Sequence, residues 1–246
     1  MGASYAYDYK SQLTGETTNR GHVANNSFVY DAAGNSTTLR GVAMPAYNAD
    51  NQYTGAQFVY DGNGNPTTYS GHAATYDEES RLTTLLGDTH AYTADGLRAS
   101  KQIGTNARTY FLYDGDDPVC ELDASGNIIA TNTWGVSGLV ARTTPARTVC
   151  YAFDPQGNVS QAIDPNAAAG SQILNSCSAD AYGYRYASNT YTDPYMGFGG
   201  KWGYYTDAEV GTQLLGHRFY DSGAGRFINR DPIGYKGDIN LYGYCG

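Results

Sequence analysis

Gln57-Phe58-Val59-Tyr60-Asp61-Gly62-Asn63-Gly64-Asn65 carries an apolar and aromatic run into an aspartate, places glycine three residues later and closes on asparagine. An aspartate opening a type I turn accepts hydrogen bonds from the backbone ahead of it. Glycine three residues on takes the left-handed conformation that returns the chain as a hairpin. The same Asp-x-x-Gly-Asn sequence stands at 31–35, 61–65, 123–127 and 154–158, each time behind a large apolar residue: Tyr30, Tyr60, Leu122 and Phe153. Its turn residues are Asp31 and Gly34, Asp61 and Gly64, Asp123 and Gly126, and Asp154 and Gly157. The starts differ by 30, 62 and 31 residues, and a degenerate copy, Tyr92-Thr93-Ala94-Asp95-Gly96-Leu97, falls in the double gap. Variants without glycine begin at Asp8, Asn48 and Asp77, so two turn classes alternate and the half-period is close to 15 residues. Around the turns, stretches such as Ser27-Phe28-Val29-Tyr30 read as strand.

Each repeat is therefore a β-hairpin. A lone hairpin is not stable in water, because ordering its backbone costs about 1–2 kcal/mol per residue while one buried apolar side chain returns only about 1.5–3 kcal/mol. Stacking on neighbours is required, which predicts an extended sheet winding from repeat to repeat with its aromatic face inward. The expected fold class is all-β with almost no helix. The Ala-rich run Asn166-Ala167-Ala168-Ala169-Gly170 lies in a Pro/Gly-flanked loop.

Composition agrees. Tyrosine occurs 24 times and glycine 31 times in 246 residues, which favours strands and tight turns. The 15 Lys plus Arg against 24 Asp plus Glu give a net charge of −9, with no basic cluster, so nucleic acid is not expected as a partner. No apolar stretch approaches the roughly 20 residues of a spanning helix. Neither a cleavable secretory signal nor a myristoylation pattern is read at the N-terminus.

The C-terminal stretch is the most specific. Gly216-His217-Arg218-Phe219-Tyr220-Asp221, Gly225-Arg226-Phe227-Ile228-Asn229-Arg230-Asp231-Pro232-Ile233-Gly234 and Asn240-Leu241-Tyr242-Gly243-Tyr244 resemble the RHS-associated core. The hairpin repeats resemble the YD repeats of the same RHS family, which includes the C components of insecticidal toxin complexes and the teneurins. The resemblance implies YD-repeat hairpins over 1–175, forming a spiralling, partial β-sheet shell, and an RHS-core plug over 176–246. It implies a structural segment of a polymorphic toxin or cell-surface protein, enclosing or displaying a partner polypeptide: an enclosed or downstream toxin, or other shell segments. Such a protein is secreted or placed on the cell surface by a non-Sec route, and is otherwise cytoplasmic before delivery; no membrane insertion is expected.

The family's self-cleavage uses an Arg-Asp pair, matching Arg230-Asp231, with a second aspartate in a later Asp-Pro-x-Gly-Leu segment. The chain stops at Gly246 before such a segment, and Asp238 does not match its spacing. Arg230 and Asp231 are thus expected to be vestigial, and the chain is not expected to be an enzyme. Gly225, Arg226, Phe227, Pro232, Gly234, Asn240, Leu241 and Tyr242 carry the core motif. Two alternatives stand beside the scaffold: a self-processing aspartyl-type core, and a glycan-binding surface built from the abundant Tyr, Asp and Asn.

No metal or cofactor is expected. Asp61 to Asn65 resembles the start of a calcium loop, but Pro66 stands where glycine is required and His72 where the bidentate Glu belongs. The histidines at 22, 72, 90 and 217 lack a catalytic or ligand pattern and read as neutral surface or turn residues. The cysteines at 120, 150, 177 and 245 read as separate thiols. A Cys120–Cys150 disulfide between adjacent coils is the alternative, since the two lie 30 residues apart.

Overall fold

The structure, a computed structural model, describes residues 2–19, 25–187, 191–237 and 239–244. These form two compact units, one comprising 1–86, 180–182 and 218–246, the other 87–179 and 183–217. His22, Asp238 and Cys245 lie outside the described residues.

The first unit opens with β1 (Ala3–Tyr7), β2 (Leu13–Thr18), β3 (Asn26–Tyr30), β4 (Ser36–Leu39) and β5 (Val42–Ala43), a five-stranded antiparallel sheet in chain order. It continues with β6 (Val59–Tyr60), β7 (Pro66–Tyr69), β8 (His72–Tyr76) and β9 (Leu82–Leu85), again each antiparallel to the next. The second unit holds β10 (Asp88–Tyr92), β11 (Arg98–Ile103), β12 (Thr109–Asp114), β13 (Asp117–Leu122), β14 (Ile128–Gly135), β15 (Gly138–Thr143), β16 (Thr148–Phe153), β17 (Val159–Ile163), β18 (Ile173–Ala179) and β19 (Arg185–Ala187), paired strand to strand in the same way. A separate hairpin of that unit pairs β20 (Tyr205–Asp207) with β21 (Thr212–Leu215). The first unit closes with the pair β22 (Arg218–Asp221) and β23 (Arg226–Phe227). The fold is all-β, and among the described residues the only helical pieces are 3-10 turns at Gly200–Trp202 and Gly234–Lys236.

The turns explain the repeat. In the copy at Asp31, Oδ1 accepts the N–H groups of Ala33 and Asn35, both at 2.9 Å, and Oδ2 accepts Nδ2 of Asn35 at 3.0 Å. Gly34 sits at φ +81°, and the pairing slips by one residue between Val29 and Tyr30. A type I turn followed by a left-handed glycine bulge has this signature. Asp61, Asp123 and Asp154 repeat it, with Gly64, Gly126 and Gly157 at φ +82°, +82° and +80°.

The glycine-free turns are not a second type. Asp8, Asn48 and Asp77 accept the same pair of N–H groups, and Ser11, Asn51 and Ser80 take the glycine's place at φ 65°, 61° and 63°. A left-handed L-residue costs roughly 1–2 kcal/mol. At two of the three the side chain offsets this: Asn51 Oδ1 accepts Nδ2 of Asn35 at 2.7 Å, and Ser80 Oγ accepts Nδ2 of Asn65 at 3.1 Å. Each bond ties one turn to the glycine turn before it.

Ser11 is exposed at the surface, whereas Asn65, the donor to Ser80, is buried. Ser11→Gly is therefore expected to raise stability by up to about 1 kcal/mol by releasing strain. Ser80→Gly gains the same relief but leaves the buried amide of Asn65 short of an acceptor, a larger cost of up to about 3 kcal/mol, so it is expected to lower stability by about 1 kcal/mol net. Paired urea titrations check the opposite signs.

Cys120 and Cys150 do not pair. They sit on β13 and β16, with β14 and β15 between, and three strand spacings of about 4.8 Å separate them by roughly 14 Å, twice the reach of a disulfide. A period of 30 residues spans two hairpins, so the disulfide alternative fails on strand count. Both are free thiols, as is Cys177, whose buried Sγ donates to the Val159 carbonyl at 2.8 Å.

Candidate functional site

In the first unit, the C-terminal motif residues reach one repeat turn after another. Asn240 Nδ2 donates to Oδ1 of Asn35 at 2.9 Å, and all three of Asn35, Asn51 and Asn240 are buried. The asparagine that closes the first glycine turn is thus bonded to its own aspartate, to the next turn and to the C-terminal segment.

At the second glycine turn, the Tyr242 hydroxyl donates to the Gly64 carbonyl at 2.7 Å and Arg230 Nη1 donates to the Asn63 carbonyl at 3.1 Å. The Arg230 stem and the Tyr242 hydroxyl occupy the space a Cβ on Gly64 would need. Asn229 Nδ2 reaches the Ser80 carbonyl at 2.9 Å. Arg226 lies between these turns. Its guanidinium is 5.2, 4.6 and 4.6 Å from the ring centroids of Tyr47, Tyr53 and Tyr242, and Nη2 donates to the Asn51 carbonyl at 2.6 Å. Three ring faces supply negative quadrupole to a buried cation.

Phe227 N–H donates to the Tyr242 carbonyl at 2.9 Å, and the buried Leu241 accepts the Asp231 N–H at 2.8 Å, which joins the motif's two halves. Gly225 turns at φ +66° against Leu39 and Tyr182.

Arg230 and Asp231, adjacent in sequence, have different partners. Asp231 Oδ1 accepts the Ile233 N–H at 3.0 Å, Gly234 N–H returns to the Asp231 carbonyl at 3.0 Å, and Gly234 has φ +64°. Pro232 occupies the second position, where its fixed φ suits the turn. Asp-Pro-Ile-Gly is chemically the same turn as Asp154-Pro155-Gln156-Gly157. The remaining carboxylate oxygen of Asp231 pairs with Arg218 Nη2 at 3.1 Å. Both oxygens are engaged structurally.

The second unit repeats the arrangement with residues 193–209. Asn158 Oδ1 accepts the Gly199 N–H at 3.0 Å, the Gly157 carbonyl accepts the Lys201 N–H at 3.1 Å, and the Trp202 ring lies on Gly157. Tyr151 donates to Asp193 at 2.8 Å, and Asn132 donates to the Tyr195 hydroxyl at 2.9 Å. Burial, then the Asp193 carboxylate, pushes the Tyr151 phenol well above its ordinary range. Among the described residues nothing lies within 4 Å of where a Cβ on Gly126 would stand, and hydrogen bonds from Asn127 hold the Asp123 pKa below the usual range.

Beneath this segment lies a buried charge network that the sequence did not disclose. Asp207, fully buried, accepts Arg98 Nη1 at 2.6 Å on one oxygen and Lys101 on the other. Lys101 also pairs with Glu209, and Arg142 pairs with the buried Glu121 at 2.7 Å. Burial would raise the Asp207 pKa, but Arg98 and Lys101 outweigh it and hold the group below its usual value. The Arg98 guanidinium stacks over Phe111 and Tyr205, 4.7 and 4.4 Å from their centroids. The inward face is therefore aromatic and charged together.

His90 also departs from the surface reading: it is buried, and desolvation followed by the nearby Arg98 charge lowers its pKa to about 3. His72 is exposed, and His217 lies 3.2 Å from the Gly96 carbonyl.

This architecture is all-β, built from antiparallel strands paired in chain order. The chain aligns over 98% of its length with crystal structures of the TcdB2-TccC3 complex, at TM-score 0.71 and 19% identity, covering 15% of that chain. The Photorhabdus luminescens Tc holotoxin pore matches equally well, at TM-score 0.71 and 18% identity, over 98% of this chain and 14% of that one. Among curated proteins, the tRNA3(Ser)-specific nuclease WapA of Bacillus spizizenii is 30% identical across 97% of this chain. Double-stranded DNA deaminase toxin A of Burkholderia cenocepacia is 26% identical across 65% of it. The chain spans 11% of the length of each of these two relatives. No model of a known protein family matches it.

Proposed function

We propose that this chain is a non-enzymatic scaffold segment of an RHS-type polymorphic toxin, with 1–175 as repeat wall and 176–246 as the core segment seated on it. The reading rests chiefly on Asn240, Arg226, Tyr242 and Arg230 reaching successive repeat turns, an arrangement that spends the motif residues on holding the wall. The named relatives, a DNA deaminase toxin and a tRNA nuclease, are far longer, and on this reading the stretch they share with the chain is a part that carries or displays a toxic polypeptide. Delivery outside the producing cell follows from the same reading.

Two measurements test it. The purified chain should keep its full mass of 26.4 kDa on incubation, and Asp231→Asn should lower stability by about 1 kcal/mol through loss of the Arg218 pair. A time-dependent fragment that disappears in Asp231→Asn would replace the scaffold with a self-processing enzyme. Mixed with the polypeptides encoded beside it in its gene, the chain should form a complex on gel filtration. Absence of any complex, together with saturable binding on a glycan array, would make it a sugar-binding module instead.

A further inference from the structure

The chain contains a single Asn-Gly pair, Asn63-Gly64, and it stands in the second glycine turn, the one that Arg230 and Tyr242 touch. Asparagine before glycine is the least hindered place for a chain to close an imide on itself. The glycine nitrogen attacks the asparagine side-chain carbonyl, and no Cβ on the glycine obstructs its approach. Asn63 is exposed, within reach of the water that completes the reaction.

The folded turn opposes this chemistry at every backbone polar group of the pair. Asn63 N–H donates to Asp61 Oδ1 at 2.9 Å, and Gly64 N–H donates to the Asp61 carbonyl at 3.0 Å. The Asn63 carbonyl accepts Arg230 Nη1 at 3.1 Å, and the Gly64 carbonyl accepts the Tyr242 hydroxyl at 2.7 Å. Two groups are held by the turn itself and two by the C-terminal segment. A type I turn keeps ψ of its third residue near about 0°, whereas the imide closes only with the Gly64 nitrogen eclipsing the Asn63 Cβ, roughly a third of a turn away. Turning ψ that far swings the Asn63 carbonyl off Arg230 and carries Gly64 away from Tyr242. Cyclisation therefore requires the segment to come off first.

We propose that Asn63-Gly64 is a self-modification site that the C-terminal segment holds inactive. When the segment undocks, the pair cyclises, and the isoaspartate product bars the segment from seating again.

The atoms balance with solvent water as the only co-reactant. The Gly64 nitrogen bonds to Asn63 Cγ, the Cγ–Nδ2 bond breaks, and ammonia leaves with the proton from the Gly64 nitrogen. Water then opens the ring at one of its two carbonyls. Opening at Cγ leaves aspartate at position 63 with the backbone unchanged, so the segment can return. Opening at the backbone carbonyl leaves isoaspartate, whose main chain runs through the former side chain and is one methylene longer. The Arg230 stem and the Tyr242 hydroxyl already fill the space beside Gly64, so the longer turn has no room beneath them.

Peptide mapping by mass spectrometry, after incubation of the full chain in mildly alkaline buffer, reads the rate at position 63 as the amide-to-acid mass change. The rate should be lowest in the native wild type and highest in urea. Tyr242→Phe, which removes one hydrogen bond from the clamp, should raise it about tenfold. Arg230→Met should act in the same direction by a smaller factor, since its bond is at the surface. Gly71→Ala weakens the same unit at a position away from the segment and separates undocking from general unfolding. It should leave the rate unchanged. Equal rates in native wild type and urea, no change in either clamp variant, or an acceleration by Gly71→Ala equal to that of Tyr242→Phe would overturn the gating. The isoaspartate form, separated by ion exchange, should show fast hydrogen exchange in 239–244 while the aspartate form keeps its protection. Wild-type protection in the isoaspartate form would overturn the bar to reseating.

Discussion

Asp207→Asn is expected to destabilise the second unit by about 3–5 kcal/mol, because it leaves Arg98 and Lys101 buried without their shared counter-charge. The cost is not the strength of an ion pair. It is the desolvation of two cations that the folded protein can no longer offset, and the substituted amide would aim its NH₂ group at one of them. For a chain of this length that corresponds to a fall of roughly 6–20 °C in melting temperature. Combining Asp207→Leu with Arg98→Met should recover much of the loss, since Lys101 keeps Glu209 and apolar groups remove the need to solvate a charge. Thermal melts at pH 7 decide it. A loss below 1 kcal/mol for Asp207→Asn would mean that the two cations are hydrated in the native protein.

The contrast between this network and the turns shows what local sequence can carry. Asp31 to Asn35 specifies its turn within five residues, since carboxylate acceptor, left-handed glycine and closing amide all contact one another. The period, the hairpins and the all-β class were legible for that reason. The glycine-free turns were misread as a separate class because Asn51 and Ser80 take the left-handed conformation with help from Asn35 and Asn65, 16 and 15 residues away. Arg98 and Asp207 are 109 residues apart, and Arg98-Ala99-Ser100-Lys101-Gln102 reads by pattern as a solvated strand. Its burial is imposed by the hairpin that packs on it, which no window of the sequence contains. The core motif lay between these extremes. Its residues were recognisable, but their partners, the carbonyls and amides of the repeat turns, were not.

Gly64→Ala and Gly71→Ala separate the cost of the turn from the cost of docking. Both glycines have φ +82°, so alanine suffers the same backbone penalty at each, about 1–2 kcal/mol. A methyl group on Gly71 meets none of the described residues within 4 Å, whereas on Gly64 it enters the Arg230 side chain and stands 2.9 Å from the Tyr242 hydroxyl. Relief requires Arg230 to leave the Asn63 carbonyl and Tyr242 to leave the Gly64 carbonyl, and the buried Tyr242 ring has little room to move. Gly64→Ala should therefore cost about 3–5 kcal/mol, the excess over Gly71→Ala being the lost bonds and overpacking. The excess should also appear locally, as faster hydrogen exchange in 239–244, which Gly71→Ala should leave untouched. Equal losses from the two variants would show that the C-terminal segment does not depend on the repeat turn beneath it, and the scaffold reading would lose its principal support.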